Sequence, residues 1–360
     1  MDPGIYQGGS RHRRAFSFLD LLIVTALVGL LIAILLPAVQ AAREASRISQ
    51  CKKNLRSMAF GALNHEDARK SYPYSGWSFG WMGDPDQGIG PQQPGSWIYT
   101  TGRFMDLDVN FDIGAGLPWN EKKAALAELM ATPIAQFNCP SRRPAIALPS
   151  RSPSGVSCEN GVLPKNSLLP AKVAKADYAI NGGSGSGWDD GAGGTGGAPA
   201  ESCLHVEGLD GSAGIPYYPQ CNWHISSTDA YWRNFNGVSG WRTAARAGQI
   251  VDGLSKTVMV GEKFVQPQHY GHSCPLAGQE PSKGNGGDNG SMYIGWDIDI
   301  ARTGQLMRDY NPQLGLFVGA SHFGSAHAEA ANFAFCDGSV RSIRYDIENF
   351  QRFVVRNDGL

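Results

Sequence analysis

The chain has no excess of charge of either sign. Lys and Arg together number 31 and Asp and Glu 32, so the formal net charge is −1. A nucleic-acid-binding surface needs clustered excess positive charge, and we therefore expect no nucleic-acid partner. Charged residues make up only 18% of the 360 residues, whereas glycine occurs 46 times. This composition is typical of loops and short strands rather than of a helical bundle or a charged disordered tail.

Motifs that carry chemistry are also scarce. None of the seven cysteines belongs to a C-x-x-C pair, which argues against a zinc ribbon or a thioredoxin-type site. Serine, histidine and aspartate are too scattered to single out a catalytic triad. We therefore predict that the chain is not an enzyme. Its length is sufficient for two domains, or for one large domain with insertions.

One long apolar stretch dominates the N-terminal part of the chain. Residues 16–39 read FSFLDLLIVTALVGLLIAILLPAV and contain a single charge, Asp20. As a helix they would cover about 36 Å, enough for a hydrocarbon core of about 30 Å. We predict a membrane-spanning helix. One alternative is a buried helix of a soluble core. Another is a cleavable secretory signal, with small residues at a cleavage site, namely Ala38, Ala41 and Ala42.

The helical pattern continues beyond this stretch, over residues 40–68. Only Gly61 weakens the pattern. Small or apolar residues recur at steps of three and four, which places them on one helical face. They are Ala38, Ala41, Ala45, Ile48, Cys51, Leu55, Met58 and Ala62. We predict one helix of about 50 residues over 16–68, whose amphipathic second half packs on a folded domain.

Two residues interrupt the apolar segment. A carboxylate such as Asp20 is costly in a membrane unless it reaches the interface or meets a cation. Pro37 removes one helical hydrogen bond, so it predicts a kink at the outer interface or, alternatively, a plain break of the helix. A free α-amino group on Phe16 would be a suitable cation for Asp20.

These features resemble a known signal. The basic leader ending in RHRRA, the sequence AFSFLD and the apolar helix interrupted at Pro37 resemble the class III signal of type IV prepilins and pseudopilins. The resemblance implies that a membrane prepilin peptidase removes residues 1–15, cutting between Ala15 and Phe16, and that Phe16 is then methylated. Ala15 stands where that family usually has glycine, and Asp20 where it usually has glutamate.

The sequence that follows, LLPAVQAAREASRISQCKKNL, resembles a large prepilin-like family of bacterial envelope proteins with a C-terminal domain of unknown function. Three Lys and Arg residues precede the apolar stretch and five follow it closely, so the positive-inside rule does not orient it. The leader resemblance implies a cytoplasmic N-terminus and a single pass through the inner membrane. It also implies that the other subunits of a pilus or pseudopilus are partners.

The remainder of the chain, residues 69–360, is expected to be an exported pilin-like domain with insertions around 145–250. We predict an α+β fold, in which the long N-terminal helix lies on an antiparallel β-sheet with long Gly-rich loops. Residues 121–131, EKKAALAELMA, predict a helix because Ala, Leu, Glu and Lys dominate them. Residues 249–263 predict a turn followed by a short strand.

Residues 332–343, NFAFCDGSVRSI, predict a β-hairpin. Asp337-Gly338 suits a type I′ turn, which would place Phe335 opposite Val340. The family resemblance covers this end too, as a signature of histidine, nine residues and Asp-Gly, here His327, Asp337 and Gly338. The blocks DYAINGG and FNCPS also resemble the family.

Ligand-type residues suggest metal sites, which we weigh against ordinary structural roles and do not adopt. Two sets combine imidazole with carboxylate or thiol: His322, His327 and Asp337, and His269, His272 and Cys274. Acidic residues in Gly-rich loops offer oxygen ligands for calcium, namely Asp189, Asp190 and Asp288. We predict no resident cofactor, with calcium as the alternative.

Aromatic residues and cysteines complete the candidates. Tryptophans in predicted loops either stack on sugars or pack in the interior; they are Trp77, Trp81, Trp97, Trp188, Trp223, Trp232 and Trp241. Cys51 lies on the helix face and is expected to be a free thiol. The other six cysteines allow fifteen pairings, of which Cys203–Cys221 is our first choice.

These observations predict a pilin-like or pseudopilin-like structural subunit that is anchored in the membrane by its N-terminal helix. The alternative is a membrane-tethered extracytoplasmic binding module, for carbohydrate for example, that uses the prepilin-type signal only for targeting.

Overall fold

The computed structural model describes residues 18–77, 79–151, 164–184, 235–271, 287–309 and 321–359. By contacts the chain divides into two units, Met1–Ser46 and Arg47–Leu360. The leader, Ala15 and Phe16 lie outside the described residues. The predictions made for them therefore stay predictions.

The first unit, as far as it is described, is helical. It contains the start of helix α1, which runs over Phe18–Arg69 for 52 residues and continues through Pro37. The predicted helix of about 50 residues is confirmed, and the plain break at Pro37 is wrong. The most apolar 18-residue window of α1 has a mean hydropathy of 2.9 and no buried residue. Because its side chains are exposed, the helix does not fit the alternative of a buried core helix. It is long and apolar enough to cross a membrane.

The second unit places the rest of α1 in its core. The C-terminal part of the predicted face, Cys51, Leu55, Met58 and Ala62, is buried, whereas its N-terminal members, Ala38, Ala41 and Ala45, are exposed. Leu55, Met58 and Ala62 pack with residues of the sheet and of the loops, Tyr178, Ile180, Val260 and Ala334 among them. Two further helices follow, α2 over Trp97–Gly102 and α3 over Trp119–Met130. The predicted helix at 121–131 is thus confirmed as α3.

The strands are short, as the glycine content indicated. They are β1 Leu148–Pro149, β2 Lys172–Val173, β3 Tyr178–Asn181, β4 Ser239–Gly240, β5 Thr243–Ala244, β6 Val258–Glu262, β7 Ala301–Arg302, β8 Leu306–Arg308, β9 Phe323–Ser325, β10 Ala330–Phe335 and β11 Val340–Arg344. The largest sheet has five strands in the order β11-β10-β6-β3-β7. The α+β class is confirmed.

The central sheet departs from the antiparallel expectation at one edge. β11, β10, β6 and β3 pair antiparallel, whereas β3 and β7 pair parallel, with Ile180 opposite Ala301. A parallel pair needs a long connection, and more than one hundred residues separate these two strands in sequence. All residues of β3 and β6 are buried, because side chains on both faces of the sheet pack in hydrophobic clusters.

The β10–β11 hairpin is confirmed, but its turn differs from the predicted one. Ala334, not Phe335, lies opposite Val340. Gly338 has a φ of 83°, whereas Asp337 does not have a positive φ, so the turn is not type I′, which needs positive φ at both positions. Instead the Gly338 amide donates to the Phe335 carbonyl at 2.9 Å. The Asp337 carboxylate accepts from the Ser339 amide at 2.9 Å.

This turn leads to a first prediction. Replacing Gly338 with alanine forces an L-residue into the left-handed region, which costs about 1–2 kcal/mol. A Cβ there also lies 3.0 Å from Leu63 Cδ1. We expect the free energy of unfolding to fall by at least that amount in denaturant titrations. Gly248→Ala is the control, because its Cβ meets nothing within 4 Å and its φ is not positive. Equal stability of the two variants would contradict the left-handed conformation of Gly338 in the turn.

Candidate functional site

Four side chains with ligand-type atoms meet in the second unit. Cys51 comes from α1, Cys139 from the loop after residues 135–137, Glu262 from the end of β6, and His327 from the segment after β9. One ligand atom from each lies within 4.8 Å of every other. The Sγ atoms of Cys51 and Cys139 are 3.2 Å apart. All four residues are buried.

Each member is held in place by its neighbours. The Cys139 amide donates to Asp177 Oδ2 at 2.8 Å. Glu262 Oε2 accepts from the amide and the side-chain Nδ2 of Asn332 at 2.7 and 3.1 Å. The other carboxylate oxygen, Oε1, therefore faces His327 Nε2 at 3.3 Å. Cys51 is fixed by its place in α1, and Cys139 and Glu262 are fixed by these hydrogen bonds, so the cluster is preorganised.

The His327 backbone is fixed separately. Its amide donates to Ser325 Oγ at 3.2 Å, and its carbonyl accepts from the Tyr345 hydroxyl at 2.9 Å. Nε2 of its ring lies 3.8 Å from Cys139 Sγ. The ring thus bridges the Glu262 carboxylate and the Cys139 sulfur.

Proximity shifts the acidities in the cluster. The hydrogen bond from Cys51 lowers the pKa of the Cys139 thiol to about 7, against the opposing effect of burial and with help from His327. The same contact with Cys139, together with burial, raises the pKa of Cys51 well above its ordinary value. Burial lowers the pKa of His327, but hydrogen bonds with Cys139 and Glu262 outweigh it and raise the pKa to about 11. The cluster therefore favours a thiolate on Cys139 and a protonated imidazole on His327.

A buried ion network adjoins the cluster. The Arg142 guanidinium lies 3.2 Å from Asp177 Oδ1 and donates from Nε to Asp309 Oδ2 at 2.9 Å. Arg143 Nη2 lies 2.7 Å from the same Asp177 oxygen. None of these four side chains is more than 4% exposed. Asp177 thus connects the network to the amide of Cys139.

The structure separates the predicted His-Asp metal set. His327 belongs to the cluster above, whereas His322 and Asp337 are not among the ligand-type side chains grouped with it in the described part of the chain. Asp337 stabilises the hairpin turn through its bond to the Ser339 amide, which is the ordinary structural role that was weighed against a metal site. His269 is buried, and its predicted companions, His272 and Cys274, lie outside the described residues.

The calcium hypothesis fails at Asp288. Its carboxylate lies 2.8 Å from Lys263 Nζ and accepts from Arg143 Nη2 at 3.0 Å. Burial raises its pKa, but these two cations outweigh burial and hold the pKa well below its ordinary value. Two buried cations already neutralise this carboxylate, so it does not offer a calcium site. The other candidates, Asp189 and Asp190, lie outside the described residues.

The predicted sugar-stacking tryptophans pack in the interior where they are described. Trp77, Trp81 and Trp97 are buried, and Trp97 Nε1 donates to the Ile300 carbonyl at 2.8 Å. Trp241 packs against the main core. For these residues the core-packing alternative is correct. Trp188, Trp223 and Trp232 lie outside the described residues.

The cysteines differ from the expectation at one point. Cys51 is unbridged, as predicted, but it lies next to Cys139 rather than alone on a helix face. Cys336 is also buried and unbridged. The pair Cys203–Cys221 lies outside the described residues and stays a prediction, and so do Cys158 and Cys274.

Glu262 is the functional residue that the sequence reasoning missed. The only available signal was a carboxylate at the end of an otherwise apolar strand, TVMVGE. The segment was predicted as a strand, but nothing local indicated that Glu262 is fully buried. Its partner Cys139 lies in the block FNCPS, for which the sequence offered only a family resemblance.

Fold and cluster together define an α+β protein that carries a long, apolar N-terminal helix and a buried polar cluster beneath its central sheet. The chain belongs to the family described as protein of unknown function (DUF1559), whose model matches residues 40–349. The match covers the second half of α1, the sheet and all four cluster residues, and the apolar stretch at residues 16–39 precedes it. No curated protein and no solved structure matches the chain.

Proposed function

We propose that this chain is a pilin-like or pseudopilin-like structural subunit, anchored in the membrane and assembled in a type IV pilus or a type II secretion pseudopilus. One observation carries the proposal. Helix α1, Phe18–Arg69, is continuous. Its apolar first part exposes its side chains, whereas one face of its later part, from Cys51 to His65, is buried in the second unit. The same helix therefore both anchors the protein in the membrane and forms part of the core of the folded domain.

The exposed part of α1 suits a lipid environment. In hydrocarbon every backbone polar group needs an internal partner, and a helix supplies these partners within one segment. The hydroxyl of Thr25 lies 3.0 Å from the carbonyls of Leu21 and Leu22, so it is satisfied within the helix. A Cβ at Gly29 would meet nothing within 4 Å. Small residues of this kind allow close helix–helix approach in a membrane.

The prepilin-type signal supplies the orientation and the processing in this proposal. The N-terminus lies in the cytoplasm, the second unit lies outside the inner membrane, and a prepilin peptidase cuts between Ala15 and Phe16. The new α-amino group of Phe16 then pairs with Asp20 of a neighbouring subunit. The attraction between these two charges is strongest in a medium of low dielectric constant. The pair therefore fixes how far neighbouring subunits are offset along the axis of the assembly.

The second unit supports a structural role rather than catalysis. Among the residues that the structure describes, the reactive side chains of Cys51, Cys139 and His327 are closed off from solvent. An active site needs access for a substrate. The tethered-binder alternative rests on an open groove between α1 and residues 135–145, which is lined by polar residues such as Gln50 and Lys53 and by apolar ones such as Pro140 and Pro144. A groove of mixed character suits a sugar, which presents both hydroxyl groups and an apolar ring face.

Processing is the decisive test. In cells with a prepilin peptidase, we expect mass spectrometry of the mature protein to find methylated Phe16 at its start. Ala15→Leu should abolish this cleavage, because a bulky side chain replaces the small residue that precedes the cut. Gln7→Leu, an equal change away from the cut, should be processed normally. An intact leader in the wild-type protein would refute maturation as a pilin and favour a permanent anchor.

Assembly is tested by crosslinking within the membrane. Cys51 is buried and is therefore unsuitable as a crosslinking site. A photo-reactive amino acid at Leu31, which is 59% exposed, should capture a neighbouring copy or another pilin-like subunit. A photo-reactive residue at the exposed Val251 is the matched control outside the apolar helix. If position 31 captures only lipid, the filament model is wrong.

A further inference from the structure

We propose that Cys51, Cys139, Glu262 and His327 form a structural site for a tetrahedral, thiolate-preferring divalent metal ion of the zinc class. The site would join α1 to the loop at residue 139, the central sheet and the segment after β9. It rests on the geometry of the second unit and is independent of whether the protein polymerises.

Three of the six distances between the ligand atoms are near the edges of a zinc-centred tetrahedron. Zinc bonds of about 2.3 Å to sulfur and about 2.0–2.1 Å to nitrogen or oxygen give edges of about 3.8 Å between two sulfurs, 3.6 Å between sulfur and nitrogen and 3.4 Å between nitrogen and oxygen. The observed distances are 3.2 Å between the two sulfurs, 3.8 Å between Cys139 Sγ and His327 Nε2, and 3.3 Å between His327 Nε2 and Glu262 Oε1. The other three distances are within 4.8 Å. Binding a metal ion would move the two sulfurs apart by about 0.6 Å, from 3.2 Å to the ideal edge.

The donor set selects the class of metal. Two thiolates and an imidazole favour zinc-like ions, whereas calcium and magnesium prefer oxygen ligands. Binding releases the thiol proton of Cys51 and the proton on His327 Nε2 to solvent, because the metal occupies the lone pairs that held them, and Cys139 binds as a thiolate. No oxidant or reductant takes part in this step.

The residues around the cluster match the outer shell of such a site. Asn332 holds Oε2 of Glu262 with two donors, which leaves Oε1 to coordinate. The Cys139 amide donates to Asp177 Oδ2 at 2.8 Å, which fixes the loop that carries this ligand. Outer-shell partners of this kind orient ligands and tune a metal site. Because all four ligands come from the protein and are buried, there is no open coordination position, as in structural zinc sites.

The first experiment uses the wild-type full-length protein in detergent, purified under reducing conditions and loaded with zinc. We expect tight binding at the site, and X-ray absorption spectroscopy to show two sulfur and two nitrogen or oxygen ligands around the ion. Replacement of zinc by cobalt should produce thiolate-to-metal charge-transfer absorption and the d–d bands of a tetrahedral centre. This measurement needs no variant and so does not depend on the folding of one.

The second experiment compares two cysteine variants. Cys51→Ala with Cys139→Ala should lose the cobalt bands and one equivalent of bound zinc. Cys336→Ala is the matched control, since Cys336 is likewise buried and unbridged, and it should keep both. Removal of zinc with a chelator should lower the melting temperature of the wild-type protein but not that of the double variant.

Three results would overturn the proposal. One is a Cys51–Cys139 disulfide in protein taken from untreated membranes, seen as a linked peptide after alkylation and digestion. A second is equal metal content in the double variant and the wild type, which would locate the metal elsewhere in the chain. The third is an X-ray absorption spectrum that shows only oxygen and nitrogen ligands, which would also locate the metal elsewhere.

Discussion

Replacing Arg142 with methionine is expected to lower the free energy of unfolding by about 3–5 kcal/mol, the usual cost of removing one partner from a buried ion pair. Methionine fills similar volume but removes the charge that Asp177 and Asp309 share. It also removes donors to the Lys263 carbonyl, which accepts from Nη2 at 2.6 Å. Burial already raises the pKa of Asp309 despite the guanidinium. We therefore expect this carboxyl to take up a proton in the variant.

The measurement is the midpoint of denaturant unfolding of the purified protein, followed by near-ultraviolet circular dichroism. Arg341→Met is the control, because its ion pair with Asp337 is 3.9 Å long and half of its side chain is exposed. Exposed pairs of this kind contribute about 0–1 kcal/mol. Equal, small effects of the two substitutions would mean that Arg142 is not the centre of the network.

Membrane association should be lost when Leu27 and Leu31 are both replaced by arginine. Each arginine at a helix centre costs about 2.5–3.5 kcal/mol on the insertion scale, and each lost leucine removes a further few tenths of a kcal/mol. The sum, about 6–8 kcal/mol, exceeds what snorkelling is expected to recover this far from the ends of the segment. Carbonate extraction of membranes should then release the variant into the soluble fraction.

Leu27→Ile with Leu31→Ile is the matched control and should remain in the membrane pellet, since it preserves hydropathy. Wild-type protein that is itself released by carbonate would contradict the membrane assignment, whatever the variant does. A double-arginine variant that stays in the pellet would mean that other parts of the chain hold the protein at the membrane.

The features that the sequence predicted are those set by neighbours along the chain. The steps of three and four that end at Ala62 predicted the buried face of α1, because helical periodicity is local. The pair Asp337-Gly338 predicted the β10–β11 hairpin for the same reason. The observed strand pairing differs from the predicted one by one residue, since Ala334 and not Phe335 lies opposite Val340. The pairing depends on the turn type, and the turn type depends on the φ angle at Asp337, which residue identity alone does not specify.

Residues that act across the fold were not predictable in this way. Trp97 was placed in a loop and proved to be core, since its burial depends on α1, the sheet and the loop at Ile300 together. His327 was noted, but the only metal-site partners considered for it were His322 and Asp337, which lie near it in sequence, and that set was not adopted. Its actual neighbours come from β6 and from the loop at Cys139.

The sequence by itself determined that an apolar helix precedes an α+β domain, because hydropathy and periodicity act over a few turns of helix. It also determined the family, through blocks of residues along 40–349. Only the tertiary structure decided that Cys51, Cys139, Glu262 and His327 meet. Eighty-eight residues separate Cys51 from Cys139 and 188 separate Cys139 from His327, and no local rule joins side chains over such distances. They meet because α1 and the sheet must bury their apolar faces against each other, which brings their few polar side chains into one enclosed space.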